Sequence, residues 1–365
     1  MSEELIAAGV PNEREEWAIR RAAPTDSIEA IDGTFEGATT ESRDLIARAL
    51  DRYGTNPLSF VLRYEAPWRA FARHGGLVPY LEARRAAVVW TDPLCSQAQL
   101  PELLGAFSQT MRDERRGVCL IAVSEETARA AIDAGFSALK IGEEPRFDLS
   151  SWRPPRGDRG KKLRWAVNHA RRIGVEIGQY RPSDGWRPDV EAEVRQVLES
   201  WRGALKRPEA ESFLRATPLE ESHLKWIFIA RRNGQAEAVL SCAFLPAANE
   251  WYFEDLLRAP DAVNGATELL IVEALARLSS DGGFGAGFAL APMRGIGEQL
   301  DVRALRLARL LSRAISGIDR RYGFRAISRY EARFRPSEWR PRYIAFLPAL
   351  PRPAVIRAAV RCLSG

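Results

Sequence analysis

The stretch from Leu224 to Leu278, LKWIFIARRNGQAEAVLSCAFLPAANEWYFEDLLRAPDAVNGATELLIVEALARL, decides the fold class. Its apolar runs Leu224 to Ala230 and Ala236 to Phe244 predict two strands, hinged at Asn233-Gly234. That dipeptide accepts the left-handed backbone a tight hairpin needs. Glu250 to Leu257 predicts a third strand. The period then changes. From Ala266 to Leu278 the apolar residues recur at helical spacing, and Leu269, Leu270, Val272, Ala276 and Leu278 are expected inside. Strands followed by a helix in one short run point to a layered α/β chain.

Working outward, Asp189 to Trp201 predicts a helix before this stretch. Phe284 to Leu290 (a strand), Val302 to Ile318 (a long helix) and Phe324 to Ser328 (a strand) follow it. The first half has a similar rhythm. Helices are expected at Glu41–Tyr53, Leu100–Arg112 and from Ser124 to Gly135, and strands at Leu77–Glu82, Ala86–Trp90, Val118–Val123 and Phe136–Ile141. Lys161 to Ile173 is an amphipathic helix with Leu163, Val167, Ala170 and Ile173 on one face, and Val175 to Ile177 is a strand. The two halves share element order rather than residue identity, which predicts two similar α/β domains. The expected division is a polar leader over 1–40, a first domain over 41–178, a second over 179–350 that carries the active site, and an amphipathic tail helix over 351–365.

Composition agrees with a folded chain of about two domains. There are 365 residues, 46% hydrophobic and 28% charged. No run of 18 apolar residues predicts a spanning helix, and the N-terminus has no apolar core of a secretory signal. The expected location is the cytoplasm, with peripheral contact at the inner face of the membrane. The four cysteines are far apart and read as small buried fillers; the three histidines fit no metal motif. Neither a metal nor a cofactor is expected. Net charge is +5 and the pI about 9.1. The cations are mostly arginine, whose planar fork suits phosphate.

Several short segments, in order, carry a resemblance. They are Val88 to Pro93 (VVWTDP), Phe136 to Leu149 (FSALKIGEEPRFDL), Lys162-Leu163-Arg164 with Asn168, and Glu254 to Arg258 (EDLLR). Asn264-Gly265 with Glu268-Leu269-Leu270, Ala289 to Met293 (ALAPM) and Tyr330 to Tyr343 (YEARFRPSEWRPRY) complete the set. Together they resemble the C-terminal region of the phosphatidylglycerol lysyltransferases (DUF2156) over about residues 50 to 347. The resemblance implies two tandem acetyltransferase-type (GNAT) folds, without the membrane half usual in that family. It implies transfer of an aminoacyl group from a charged tRNA to a hydroxyl of a lipid such as phosphatidylglycerol. The expected partners are therefore an aminoacyl-tRNA donor and an anionic phospholipid acceptor.

An aminoacyl-tRNA ester is already activated. The enzyme must place a hydroxyl near its carbonyl, accept a proton and stabilise the oxyanion. The resemblance carries the family's functional Asp and Arg onto Asp255 and Arg258. Asp255 would hold the donor's amino group or assist the acceptor hydroxyl; Arg258 would hold a lipid phosphate or polarise the ester. A structural ion pair at a strand end is the alternative for both. Asn264, Glu268, Glu331, Arg333 and Arg335 are candidate substrate contacts, with helix capping an equal reading for Glu268. The family's lysines in the last segment are Glu331, Arg333 and Arg335 here, which puts a lysine-based step in doubt because arginine does not release its proton at neutral pH. Glu143 and Glu144 are candidates for organising the domain interface. Lys161, Lys162 and Arg164, and Arg306, Arg309 and Arg313 on one helical face, suit a tRNA backbone or form ordinary solvated faces. Two rivals remain: an N-acyltransferase using acyl-coenzyme A, for which Arg294-Gly295-Ile296-Gly297 is only a partial match to the pyrophosphate loop, and a non-catalytic tRNA- or lipid-binding module.

Overall fold

The computed structural model describes residues 33–36, 40–83, 85–205, 215–296 and 324–364. The expected helix Val302–Ile318, with Arg306, Arg309 and Arg313, lies outside them. Among the described residues, 13 strands form a single mixed sheet. The first half contributes β1 (Gly33–Glu36), β2 (Trp68–Arg73), β3 (Gly76–Ala83), β4 (Ala86–Trp90), β5 (Gly117–Val123) and β6 (Ser137–Asp148). The second contributes β7 (Val175–Tyr180), β8 (Lys225–Arg232), β9 (Gln235–Leu245), β10 (Glu250–Arg258), β11 (Gly285–Phe288), the short β12 (Ala291–Pro292) and β13 (Glu338–Leu347). The order is β1-β2-β3-β4-β5-β13-β6-β11-β10-β9-β8-β7, with β12 beside β6.

Each half repeats one device. Antiparallel β2-β3-β4 leads to a parallel β4–β5 pair, and antiparallel β7-β8-β9-β10 to a parallel β10–β11 pair. This repetition is the element order read in the sequence, and it fits two acetyltransferase-type halves. The halves are not simply adjacent, however. β13, from the end of the chain, fills the slot between β5 and β6.

Helices cover both faces. In the first half, α1 (Thr40–Tyr53) and a 3₁₀ segment (Pro57–Arg63) pack on one face and α2 (Leu100–Asp113) and α3 (Glu125–Asp133) on the other. In the second, α4 (Lys161–Arg172) and α6 (Ala266–Ser280) share a core with Trp226, Phe228, Leu240 and Phe253. On the opposite face α5 (Pro188–Ala204) covers Ile227, Ile229, Val239 and Leu257. The tail forms α8 (Pro353–Ser364), whose Val355, Ala358 and Ala359 bury against the first half. The core containing α1 and α8 also takes in Ala243, Leu245 and Tyr252 of the second half, so it spans the seam.

Several expectations change. Ala276 is exposed, not buried. Residues 33–36 of the expected leader pair with β2. Phe324–Ser328 is helical, within α7 (Phe324–Glu331). Among its residues of described burial, Ser328 and Glu331, about one turn apart, are buried, as is Phe334 after it, while Ile327 stays exposed.

Candidate active site

In the second half, β10 and β11 run in register only from Glu250↔Gly285 to Phe253↔Phe288. Beyond that the strands part. β10 continues against β9 alone, and the chain after β11 swings to β12 beside β6. A bulge interrupts the β9–β10 register between Phe253 and Asp255. One extra residue in a strand lets two successive side chains share a face. Phe253 and Leu256 pack with α6, while Tyr252 and Leu257 lie on the opposite face. Glu254 and Asp255 both turn to that opposite face, toward the first half.

Asp255 is 8% exposed. Its Oδ2 accepts from the Thr217 N–H at 3.1 Å and from the Ser241 hydroxyl at 3.2 Å, and its own N–H donates to Ser241 Oγ at 3.1 Å. Among the described residues Oδ1 has no hydrogen-bond partner. Burial, then the Glu254 charge, push the Asp255 carboxyl up to about 7, against the opposing pull of Lys225. Removing an anion from water favours its protonated form, and a neighbouring anion adds to the effect. A carboxyl with this proton affinity can accept or give a proton at neutral pH.

Beside it lies a second group. The Lys225 side chain is 0% exposed and pairs with Glu254 Oε2 at 2.6 Å. Its ammonium also donates to the Thr217 carbonyl and to the Tyr64 hydroxyl, each at 2.8 Å. The Tyr64 hydroxyl donates in turn to Glu254 Oε1. Tyr64 follows the 3₁₀ segment of the first half, so this cluster joins the two halves. Burial and the Glu254 charge hold the Tyr64 hydroxyl far above its ordinary value. The Lys225 ammonium also lies 5.5 Å from the Phe60 ring centre and 5.2 Å from that of Tyr64, within cation–π range.

Of the other expected residues, Glu268 and Arg333 meet at the start of α6. Arg258 is exposed and donates to the Ala262 carbonyl, so it makes no ion pair with Asp255. Glu268, in the first turn of α6, accepts from Arg333 at 3.2 Å and from Thr267 at 3.1 Å. Arg333 also sits 5.5 Å from the Tyr330 ring centre. Burial, then the Glu268 charge, raise the Tyr330 hydroxyl above its ordinary value, with Arg333 and Arg258 opposing. Asn264 and Arg335 are exposed, Asn264 in the turn before Gly265. Glu331 is 5% exposed, and its Oε2 has no hydrogen-bond partner. Burial raises its carboxyl to about 8 although Arg294 opposes the shift.

The first half has the same parallel opening, and there it is filled. Asn56 donates to Asp92 at 2.8 Å and to the Ala122 carbonyl at 2.9 Å, bridging the ends of β4 and β5. Asp92 also accepts from the Ser124 N–H. Glu144 pairs with Arg342 of β13 at 2.7 Å, and Glu143 with Lys140 and Arg294 at 2.9 and 3.0 Å, so both glutamates tie β6 to elements from the second half. Arg294 stacks over Trp339 at 3.7 Å, and a side chain at Gly295 would collide with Glu143. That turn is packed against protein. In the basic helix α4, Lys161 and Lys162 are exposed, whereas Arg164 turns inward to the Pro155 and Gly157 carbonyls. Among the described residues no cluster of three or more His, Cys, Asp or Glu side chains suits a metal, and no helix is long and apolar enough to cross a membrane.

Thr217, Lys225 and Tyr64 were not singled out in the sequence. Lys225 was hidden at the head of an apolar strand, where a lysine reads as a solvated end. Tyr64 lies 161 residues before it, and no local pattern links them.

Residues 47–346 match the sequence model of the family described as phosphatidylglycerol lysyltransferase, C-terminal; the chain belongs to this family. A phosphatidylglycerol lysyltransferase of Bacillus subtilis (strain 168) is 22% identical over 308 residues, covering 82% of this chain and 34% of that protein. The chain thus spans about a third of that curated relative. Two solved structures share the fold. L-PGS from Bacillus licheniformis has a TM-score of 0.72 at 20% identity, covering 91% of this chain and 98% of that one. The C-terminal (DUF2156) domain of a protein named as a lysylphosphatidylglycerol synthetase in Agrobacterium fabrum has a TM-score of 0.71 at 21% identity, covering 88% and 96%.

Proposed function

We propose that this chain moves an aminoacyl group from an aminoacyl-tRNA to a hydroxyl of a lipid such as phosphatidylglycerol, at the cytoplasmic surface of the membrane. The observation that carries the reading is Asp255. It is a buried carboxyl with one oxygen held by Thr217 and Ser241 and the other without a hydrogen bond among the described residues, and its proton affinity lies near neutrality. Family membership supports the reaction class.

In this reading the acceptor hydroxyl oxygen attacks the ester carbonyl of the donor, and its proton passes to the Asp255 carboxylate. The tetrahedral intermediate then collapses. The bond to the tRNA ribose oxygen breaks, and Asp255 returns the proton to that oxygen. The products are the aminoacyl ester of the lipid and a tRNA with a free hydroxyl. Arg258, Glu268 and Arg333, on the α6 side of the sheet and so across it from Asp255, are proposed to hold parts of the substrates remote from the reacting ester, as are Asn264, Glu331 and Arg335. Lys161 and Lys162 are proposed to meet tRNA phosphates, and peripheral membrane contact brings the acceptor.

The test is transfer of radiolabelled amino acids, from a full set of charged tRNAs, into phosphatidylglycerol vesicles by wild type and Asp255→Asn. Loss of a positioned proton acceptor costs about 10²–10⁴ in rate, so label should enter lipid with wild type and nearly vanish in the variant. Absence of transfer from every tRNA, with the protein folded, would sink this reading.

A further inference from the structure

The Tyr64–Lys225–Glu254 cluster has no part in the reaction just described, yet it is costly to build. A lysine and a glutamate withdrawn from water lose hydration that their mutual attraction regains only with good geometry and further hydrogen bonds. Here those bonds come from both halves of the chain: the Tyr64 hydroxyl from the first, the Thr217 carbonyl from the second. The same Thr217 residue gives its N–H to Asp255. One peptide segment therefore carries the lysine on its carbonyl and the proton acceptor on its N–H. The bulge in β10 turns Glu254 to the same face as Asp255.

We propose that Lys225, Glu254 and Tyr64 are positioning residues for aminoacyl transfer, fixing Asp255 and its Thr217 anchor so that the proton-accepting site exists only when both halves of the chain are docked. The inference rests on the reading of Asp255 as the proton acceptor. The groups facing Asp255 are Glu254 and Tyr252 on its own strand, Lys225 on β8, Ser241 on β9, Thr217 from the preceding loop and Tyr64 from the first half. Of these, Glu254 and Lys225 act on it with opposite sign.

That opposition supplies a test that a purely structural role would fail. Full-length wild type, Glu254→Gln, Tyr64→Phe and the double variant Lys225→Met/Glu254→Gln are compared after thermal unfolding shows which are folded. For each, kcat and KM are measured from about pH 5.5 to 9, with the charged tRNA that supports transfer and phosphatidylglycerol vesicles. Loss of the Glu254 anion alone should move the acid limb of kcat down by about one pH unit. Loss of both charges should leave the limb within about half a unit of wild type while kcat falls. Tyr64→Phe should lower kcat by about tenfold with KM unchanged, since it loosens only the docking contact. Should Glu254→Gln fail to fold, the other two variants decide. Folded variants with the wild-type limb and wild-type kcat, or changes confined to KM, would overturn the proposal while leaving the function intact. No transfer by wild type from any charged tRNA would overturn both.

Discussion

At the scale of single residues, the burial of Asp255 bears on stability. Its carboxyl titrates near 7 in the fold and near 3.8 as a free side chain. Between those values the folded chain keeps a proton that the unfolded chain has released. The group's contribution to folding therefore becomes less favourable as pH rises through this window, and it is most unfavourable above about pH 7. Asp255→Asn removes the titration but keeps an oxygen for Thr217 and Ser241. Relative to wild type, the variant should gain stability between pH 5 and 8, by at most about 1.4 kcal/mol per unit of the shift removed. Thermal unfolding across that range checks it; a stability difference that stays flat with pH would count against the burial argument. A variant that is more stable and less active is the behaviour expected of a residue kept for function. Asp255, Glu268 and Arg333 were each singled out in the sequence, but the meeting of Glu268 with Arg333 was not legible there. The alternative reading of Asp255 and Arg258 as an ion pair is not what the fold shows: the bulge turns Asp255 to Thr217 and Ser241, and Arg258 donates to the Ala262 carbonyl.

At the scale of elements, the turn into α6 shows how closely the site is built. Gly265 has φ +95, in the left-handed region, and a Cβ there would collide with the Ala166 carbonyl of α4. Both effects act together. The left-handed backbone alone costs a residue with a side chain about 1–2 kcal/mol, and the collision would push α4 off α6. Gly265→Ala is therefore expected to destabilise the chain by about 2 kcal/mol or more, read as a lower midpoint in urea unfolding. An unchanged midpoint would show that α4 yields at little cost. Strands and helices with one clean apolar face were legible, among them the β8–β9 hairpin at Asn233-Gly234 and α4. α7 was not: among its residues of described burial, Ser328 and Glu331 are buried while the apolar Ile327 is exposed. Hydrophobic periodicity cannot report a face that buries polar groups.

At the scale of the whole molecule, the sequence conveys two similar halves but not how they interlock. Tyr330 to Tyr343 was legible as a motif and illegible as a strand, because its β-structure depends on partners about 200 residues earlier. β13 pairs with β5 through Tyr343↔Val123 and Phe346↔Cys119, and with β6 from Glu338↔Arg146 to Phe346↔Ser137. Arg342 carries this joint inward, within 2.7 Å of the buried Glu144 and 3.7 Å of Asp92. A chain ending after Phe334 would lose β13 and α8 together. It would expose two strand edges in the middle of the sheet, leave Glu144 buried without its cation, and uncover the apolar surface beneath Val355 and Ala359. Unpaired edges of long apolar strands pair with other molecules, and breaking a buried ion pair alone costs about 3–5 kcal/mol. Such a truncation should therefore unfold or aggregate in the first half, although every residue of that half is present. Hydrogen exchange is the suitable measurement, because it reports the halves separately. Loss of protection across β4, β5 and β6 is expected, whereas a first half that keeps wild-type protection without β13 would show that the halves fold as independent domains, and that the seam around Tyr64 is a contact between finished units.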